Sequence, residues 1–121
     1  MLYAIFCYNN EAAVDAWPKE KDDAVMASHR GHMGKLAARG KLGPVARLMS
    51  TSTATTVRAG REPLIIDGPF AETKEQLLGF YVVDCETLEE AIEVARGFLS
   101  DTGSLEIRPV RFFERGEEVK L

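Results

Sequence analysis

The amino-acid sequence predicts an α+β protein. Three observations carry this reading. Strand-like runs rich in branched and aromatic residues stand near both ends and in the second half of the chain. Two helix-like segments separate them. The clearest strands are apolar on both faces, so the sheet needs cover on two sides. At 121 residues the chain fits one domain over residues 1–121, with no linker or internal repeat.

Leu2 to Tyr8 reads as the first strand, closed by Asn9-Asn10. Glu11 to Trp17 reads as a loop with about one helical turn. Pro18 suits a first helical position, and Glu20, Asp22 and Asp23 suit the positive end of a helix dipole. That helix is expected to run to Arg39, where Gly40 supplies a cap. Leu42 to Met49 is the second strand. After a Ser/Thr-rich connection, Thr55 to Arg58 and Pro63 to Ile66 are expected to pair across a turn at Gly60. Asp67-Gly68-Pro69 marks a further turn, and Gln76 to Asp84 is the most convincing strand. Thr87-Leu88-Glu89-Glu90 has the form of a capping box, opening a helix with Leu88, Ile92, Ala95 and Leu99 as its apolar stripe. Leu105 to Phe113 is the last strand, and Pro109 argues for an edge position. Beyond Glu114 a charged tail is expected to fray.

The order is β-α-β, an inserted hairpin, then β-α-β, which with antiparallel neighbours is the ferredoxin-like plan. Its two helices cover one face only. Leu2, Ala4, Phe6 and Tyr8 oppose Tyr3, Ile5 and Cys7, so an apolar face is left over. Leaving it wet forfeits roughly 1.5–3 kcal/mol for each large side chain. A homodimer packed sheet on sheet is the expected cover, and the hairpin folding over that face is the alternative.

The composition excludes several classes. The apolar share of 45% and charged share of 28% are those of a globular protein. The net charge is −4, and the 15 basic residues are scattered among 19 acidic ones. No basic stripe is available to neutralise phosphates, so nucleic acid is not an expected partner. The apolar run Leu2–Tyr8 is too short to span a bilayer and lacks the flanks of a signal peptide, so no membrane partner is expected. Cys7 and Cys85 each sit in an apolar run without a C-x-x-C pair, which suits buried thiols in a cytoplasmic protein.

Few residues are candidates for chemistry. Both histidines, His29 and His32, lie on the first long helix. At roughly 100° per residue His29 falls about 40° from Val25, between Leu36 and Met33, inside the apolar stripe; His32 falls at its margin. A histidine there is either a hydrogen-bonded core residue or a general acid–base. The pair is a weak metal site, because no third ligand has suitable spacing. Asp67, after an apolar strand and before Gly68-Pro69, is either an Asx-type turn residue or a carboxylate that orients an imidazole. No nucleotide loop or nucleophile motif is present, so no cofactor is expected.

The run Asp67-Gly68-Pro69-Phe70-Ala71-Glu72-Thr73-Lys74-Glu75-Gln76-Leu77 resembles the signature of the DGPF-domain branch of the YCII-related (YciI-like) family. Thr53–Arg58 and Glu106–Val110 are similar to its flanking segments, so the resemblance covers nearly the whole chain. It departs at Leu78, where the family pattern has a glycine; Gly79 follows. The resemblance implies a bacterial ferredoxin-like subunit in a dimeric α+β barrel, with a helix histidine, here His29, meeting the signature aspartate, Asp67. Most members are of unknown function. One YCII-type member is a dehydrochlorinase of a chlorinated hydroxyquinol, and many DGPF members are encoded beside extracytoplasmic-function sigma factors.

Two functions therefore compete. The first is a cofactor-free enzyme acting on a small, aromatic molecule, with His29 moving a proton and Asp67 orienting it. Phe70 would then wall the pocket, and Lys74 or Arg108 would neutralise an anionic group. The second is a non-catalytic module that binds a small ligand or docks a regulatory partner of a sigma-factor system. Fold alone does not choose between them.

Overall fold

The structure, a computed structural model, describes residues 1–119. β1 (Leu2–Asn9) leads through a short helix, α1 (Glu11–Asp15), into the long helix α2 (Lys19–Ala38) and then β2 (Leu42–Arg47). β3 (Thr55–Arg58) and β4 (Leu64–Asp67) follow, then β5 (Gln76–Asp84), α3 (Leu88–Arg96) and β6 (Ser104–Pro109). The main sheet has the order β2-β5-β1-β6 with every neighbouring pair antiparallel, while β3 and β4 form a separate hairpin. This α+β arrangement is compatible with a ferredoxin-like fold.

The local signals act as their chemistry dictates. The Asn10 side chain caps α1 by accepting from the Ala13 amide, so the doubtful segment after β1 is a true helix. Pro18 stands one position before α2 rather than within it, with Glu20 and Asp22 in the first turn. At the other end Gly40 adopts φ 68°, and the Gly40 and Lys41 amides donate to the Ala37 and Leu36 carbonyls. That is a Schellman stop, and it needs the left-handed backbone that glycine accepts. Thr87 caps α3 by accepting from the Glu90 amide at 3.1 Å. The Glu90 carboxylate returns to the Glu86 amide, one residue earlier than a capping box requires, and also holds Lys41 at 2.5 Å. β2 ends at Arg47, two residues before the expected Met49, and an irregularity between Leu42 and Val45 lets Pro44 sit in this edge strand. β6 is the opposite edge, with Pro109 as its last residue. It stops well before Phe113, and residues 110–119 form no helix or strand. The last two residues of the charged tail lie outside the described residues.

The core lies between the sheet and the helices. Tyr3, Ile5, Tyr81 and Val83 meet Leu36, Ala91, Val94, Ala95 and Phe98. This corrects the stripe expected on α3. Of the four residues read from spacing only Ala95 is buried; Leu88, Ile92 and Leu99 are 47%, 37% and 53% exposed. The small side chains of Ala91 and Ala95 face the sheet instead, which lets the helix approach closely, and Val94 and Phe98 complete that face. On α2 only Leu36 is buried, with Val25, Met26, His29 and Met33 half-buried beside it.

The opposite face carries Leu2, Ala4, Phe6 and Tyr8 from β1, with Phe6 registered against Phe80 and Ala4 against Val82. The hairpin does not fold over it as a packed layer. Every residue of β4 is exposed, Ile65 at 76%, and Val57 of β3 at 68%.

Gly79 is the tightest point of the sheet. A Cβ there would stand 2.3 Å from the Ala46 carbonyl oxygen, so β2 reaches β5 only because residue 79 has no side chain. Gly79→Ala is expected to cost about 1–3 kcal/mol by overpacking. Ile5→Ala is expected to cost about 2–5 kcal/mol by opening the core, and Thr87→Ala about 0.5–2 kcal/mol by uncapping α3. Urea titrations followed by circular dichroism measure all three.

Candidate functional site

Between α2 and the sheet lies a cavity of about 250 Å³. β5 supplies Gly79 and Tyr81, β1 supplies Cys7, and α2 supplies Met26, His29 and Met33. Cys7 and Gly79 are cross-strand partners, so the thiol and the bare backbone at residue 79 stand side by side in the cavity wall. Trp17, just before α2, and Phe98, just after α3, add aromatic walls.

His29 is the central titratable group. Its Nδ1 lies 3.4 Å from the Tyr81 hydroxyl, a long contact whose donor depends on the imidazole tautomer. Its ring meets Phe98 edge-on at 5.7 Å between centroids and Tyr81 at 6.5 Å. Burial lowers the His29 pKa below the usual imidazole value, and the charges of Arg47 and His32 push the same way. The Phe98 carbonyl opposes that shift. Two other cavity groups are held firmly protonated. Burial lifts the Tyr81 hydroxyl to about 12, with Cys7 adding to the effect, and lifts the Cys7 thiol to about 11. The wall therefore offers one proton acceptor, His29, beside two neutral donors.

His32 does a different task. Its Nε2 lies 2.8 Å from the Val94 carbonyl, and its ring packs on Phe98 at 4.5 Å. A Cβ on Gly97 would fall 2.2 Å from that nitrogen. His32 therefore closes the end of α3 over a bare glycine and ties the two long helices together.

Of the residues expected to form a site, His29 reaches the cavity and four others do not line it. Asp67 is exposed at the end of β4, paired in register with Thr55, and no hydrogen bond or ion pair joins it to His29 among the described residues. Phe70 is 79% exposed and Lys74 is exposed in the following loop. Arg108 lies across the sheet from the cavity, bonded to Glu106 at 2.9 Å and over the Phe6 ring at 5.5 Å. The signature run serves local architecture. Gly68, at φ 102°, closes the hairpin, with its amide on the Ala54 carbonyl and its carbonyl accepting from Thr56. Gln76 accepts from the Glu11 amide and donates to the Thr73 carbonyl, tying the loop to α1.

Tyr81, Arg47 and Cys7 are the site residues that sequence reasoning missed. Tyr81 reads as one more aromatic in a strand. The signal for it was its alternation with Gly79 on the helix-facing side of β5.

The family model for the YCII-related domain matches residues 1–114. The chain belongs to the YCII-related family. It is also 50% identical over 121 residues to an uncharacterised protein of Rhizobium meliloti (strain 1021), covering 97% of this chain and 98% of that protein. No helix among the described residues is long and apolar enough to cross a membrane.

The lowered His29 pKa links protonation to folding. The unfolded imidazole takes up its proton near its ordinary value of 6.5, whereas the folded one resists until lower pH. The stability present above that value is therefore lost as pH falls toward the folded pKa. In His29→Gln the loss of Tm between pH 7 and pH 5 is expected to be smaller than in wild type, as measured by thermal melts across that range.

Proposed function

We propose that this YCII-related protein performs cofactor-free acid–base chemistry on a small, largely apolar molecule held between α2 and the sheet. The observation that carries the reading is an imidazole facing an aromatic-walled cavity, with the Tyr81 hydroxyl 3.4 Å from its Nδ1 and burial lowering its pKa. An imidazole with lowered pKa is ready to accept a proton at neutral pH. The Tyr81 hydroxyl, too weak an acid to ionise, would orient the ring and stay protonated. Elimination, isomerisation and hydrolysis are the reaction types open to such a group.

Asp67 keeps a conditional place in this reading. It stands on the projecting hairpin, so pairing with an imidazole requires that hairpin to meet the cavity of a second copy. A homodimer is part of the proposal for an independent reason. The face with Phe6 and Phe80 is apolar, and the helices among the described residues pack on the other face. Beside it Glu106 and Arg108 form a pair of opposite charges, which a two-fold axis can set against its own copy. Two free cysteines favour a cytoplasmic setting. The alternative, a binding module without turnover, is favoured by the long 3.4 Å contact at His29; its link to a sigma factor rests on resemblance alone.

His29→Ala and wild type should be compared in a screen of small phenols and acids, reading both thermal shift and product formation. Turnover that vanishes in the variant supports catalysis; binding without turnover supports the module. In parallel, His29 should be titrated by NMR in wild type and Asp67→Asn. A lower His29 pKa in the variant places the carboxylate beside the ring, and an unchanged value removes Asp67 from the site. Light scattering after gel filtration is expected to give twice the chain mass, and a monomer at micromolar concentration overturns the dimer.

A further inference from the structure

The cavity walls are lopsided in charge. The chain as a whole is acidic, at −4, yet among the described residues lining the cavity there is no aspartate or glutamate and there are two arginines, Arg30 and Arg47. Arg47 ends β2 directly opposite Gly79, so the close strand approach fixes where its backbone stands. Its guanidinium rests with Nη1 3.2 Å from the Met26 sulfur and Nη2 3.8 Å from Asp22. The sulfur is a weak acceptor and the ion pair is long and partly exposed, so the planar donor fork is poorly satisfied. Arg47 is also near enough for its charge to act on both His29 and Tyr81. A carboxylate is the group whose geometry fits such a fork in a two-bond arrangement.

From this geometry we infer that the cavity takes a small planar organic acid, with its carboxylate on Arg47 and Arg30 and its ring between Met26 and Tyr81. The inference rests on the proposed reading of the cavity as the functional site and specifies the substrate class. It also moves the anion-holding role from Lys74 and Arg108, which lie off the cavity wall, to residues of α2 and β2. Asp22 is the ligand's competitor for Arg47, and binding displaces it.

Two probes of the same shape test this, 2-naphthoate and its neutral amide, 2-naphthamide, titrated into the full-length protein by calorimetry and by NMR of the His29 ring. Naphthoate is expected to bind about tenfold more tightly than the amide. Arg47→Gln should sharply reduce that preference, leaving what Arg30 supplies, with the amide's affinity unchanged. Asp22→Asn, which spares the cavity wall, should strengthen naphthoate alone, and it keeps the test valid if the arginine variant does not fold. Equal affinity for the two probes, or a preference unchanged in both variants, overturns the organic-acid inference while leaving the cavity as a binding site. If neither probe binds and the His29 resonances do not move, the reading of the cavity falls with it.

Discussion

Tyr81 lies flat on Phe98, with ring centroids 3.8 Å apart and planes within 15° of parallel. Much of the molecule hangs on this stack. Tyr81 belongs to a central strand and Phe98 to the turn after α3, so the stack pins the second helical connection to the sheet. Both α2 histidines then lean their edges on Phe98. One aromatic pair thus joins the sheet, α2 and the exit of α3, and sets the orientation in which His29 faces the cavity. Such pairs add about 0.5–1.5 kcal/mol beyond their buried area.

The two histidines show how position on one helix separates roles. They are three residues apart in sequence and share the Phe98 ring, yet only His29 opens onto free volume. His32 is consumed by the Val94 carbonyl and the bare surface of Gly97. Its ring N–H is a second donor to that carbonyl, which also accepts from the Gly97 amide at the end of α3. The burial that lowers the His29 pKa is therefore partly a product of its neighbour, which brings α3 and Phe98 against α2.

Most strands and caps were legible because their signals are local. Gly40 ends α2, Thr87 starts α3, and the branched run of β5 lies between turn residues. What was not legible depended on distance or size. Leu88 and Ile92 looked like core residues because they are large, but the space under α3 is shallow and alanines fill it. The capping carboxylate at Glu90 was readable; its second bond to Lys41 was not, since that contact joins segments far apart in the chain. Angular spacing placed His29 correctly on a half-buried stripe, while nothing in spacing shows that Tyr81 offers it a hydroxyl. Asp67 drew attention through its motif, and the motif's visible work is to shape a hairpin.

The bare backbone at Gly79 has a lasting effect on how this pocket can change. Its floor is locked, because any atom added at residue 79 collides with the adjoining strand. The opposite wall is built from Met26 and Met33 of α2, unbranched side chains that change shape at little cost. Exchanging those two side chains would reshape the cavity with the sheet unchanged beneath it.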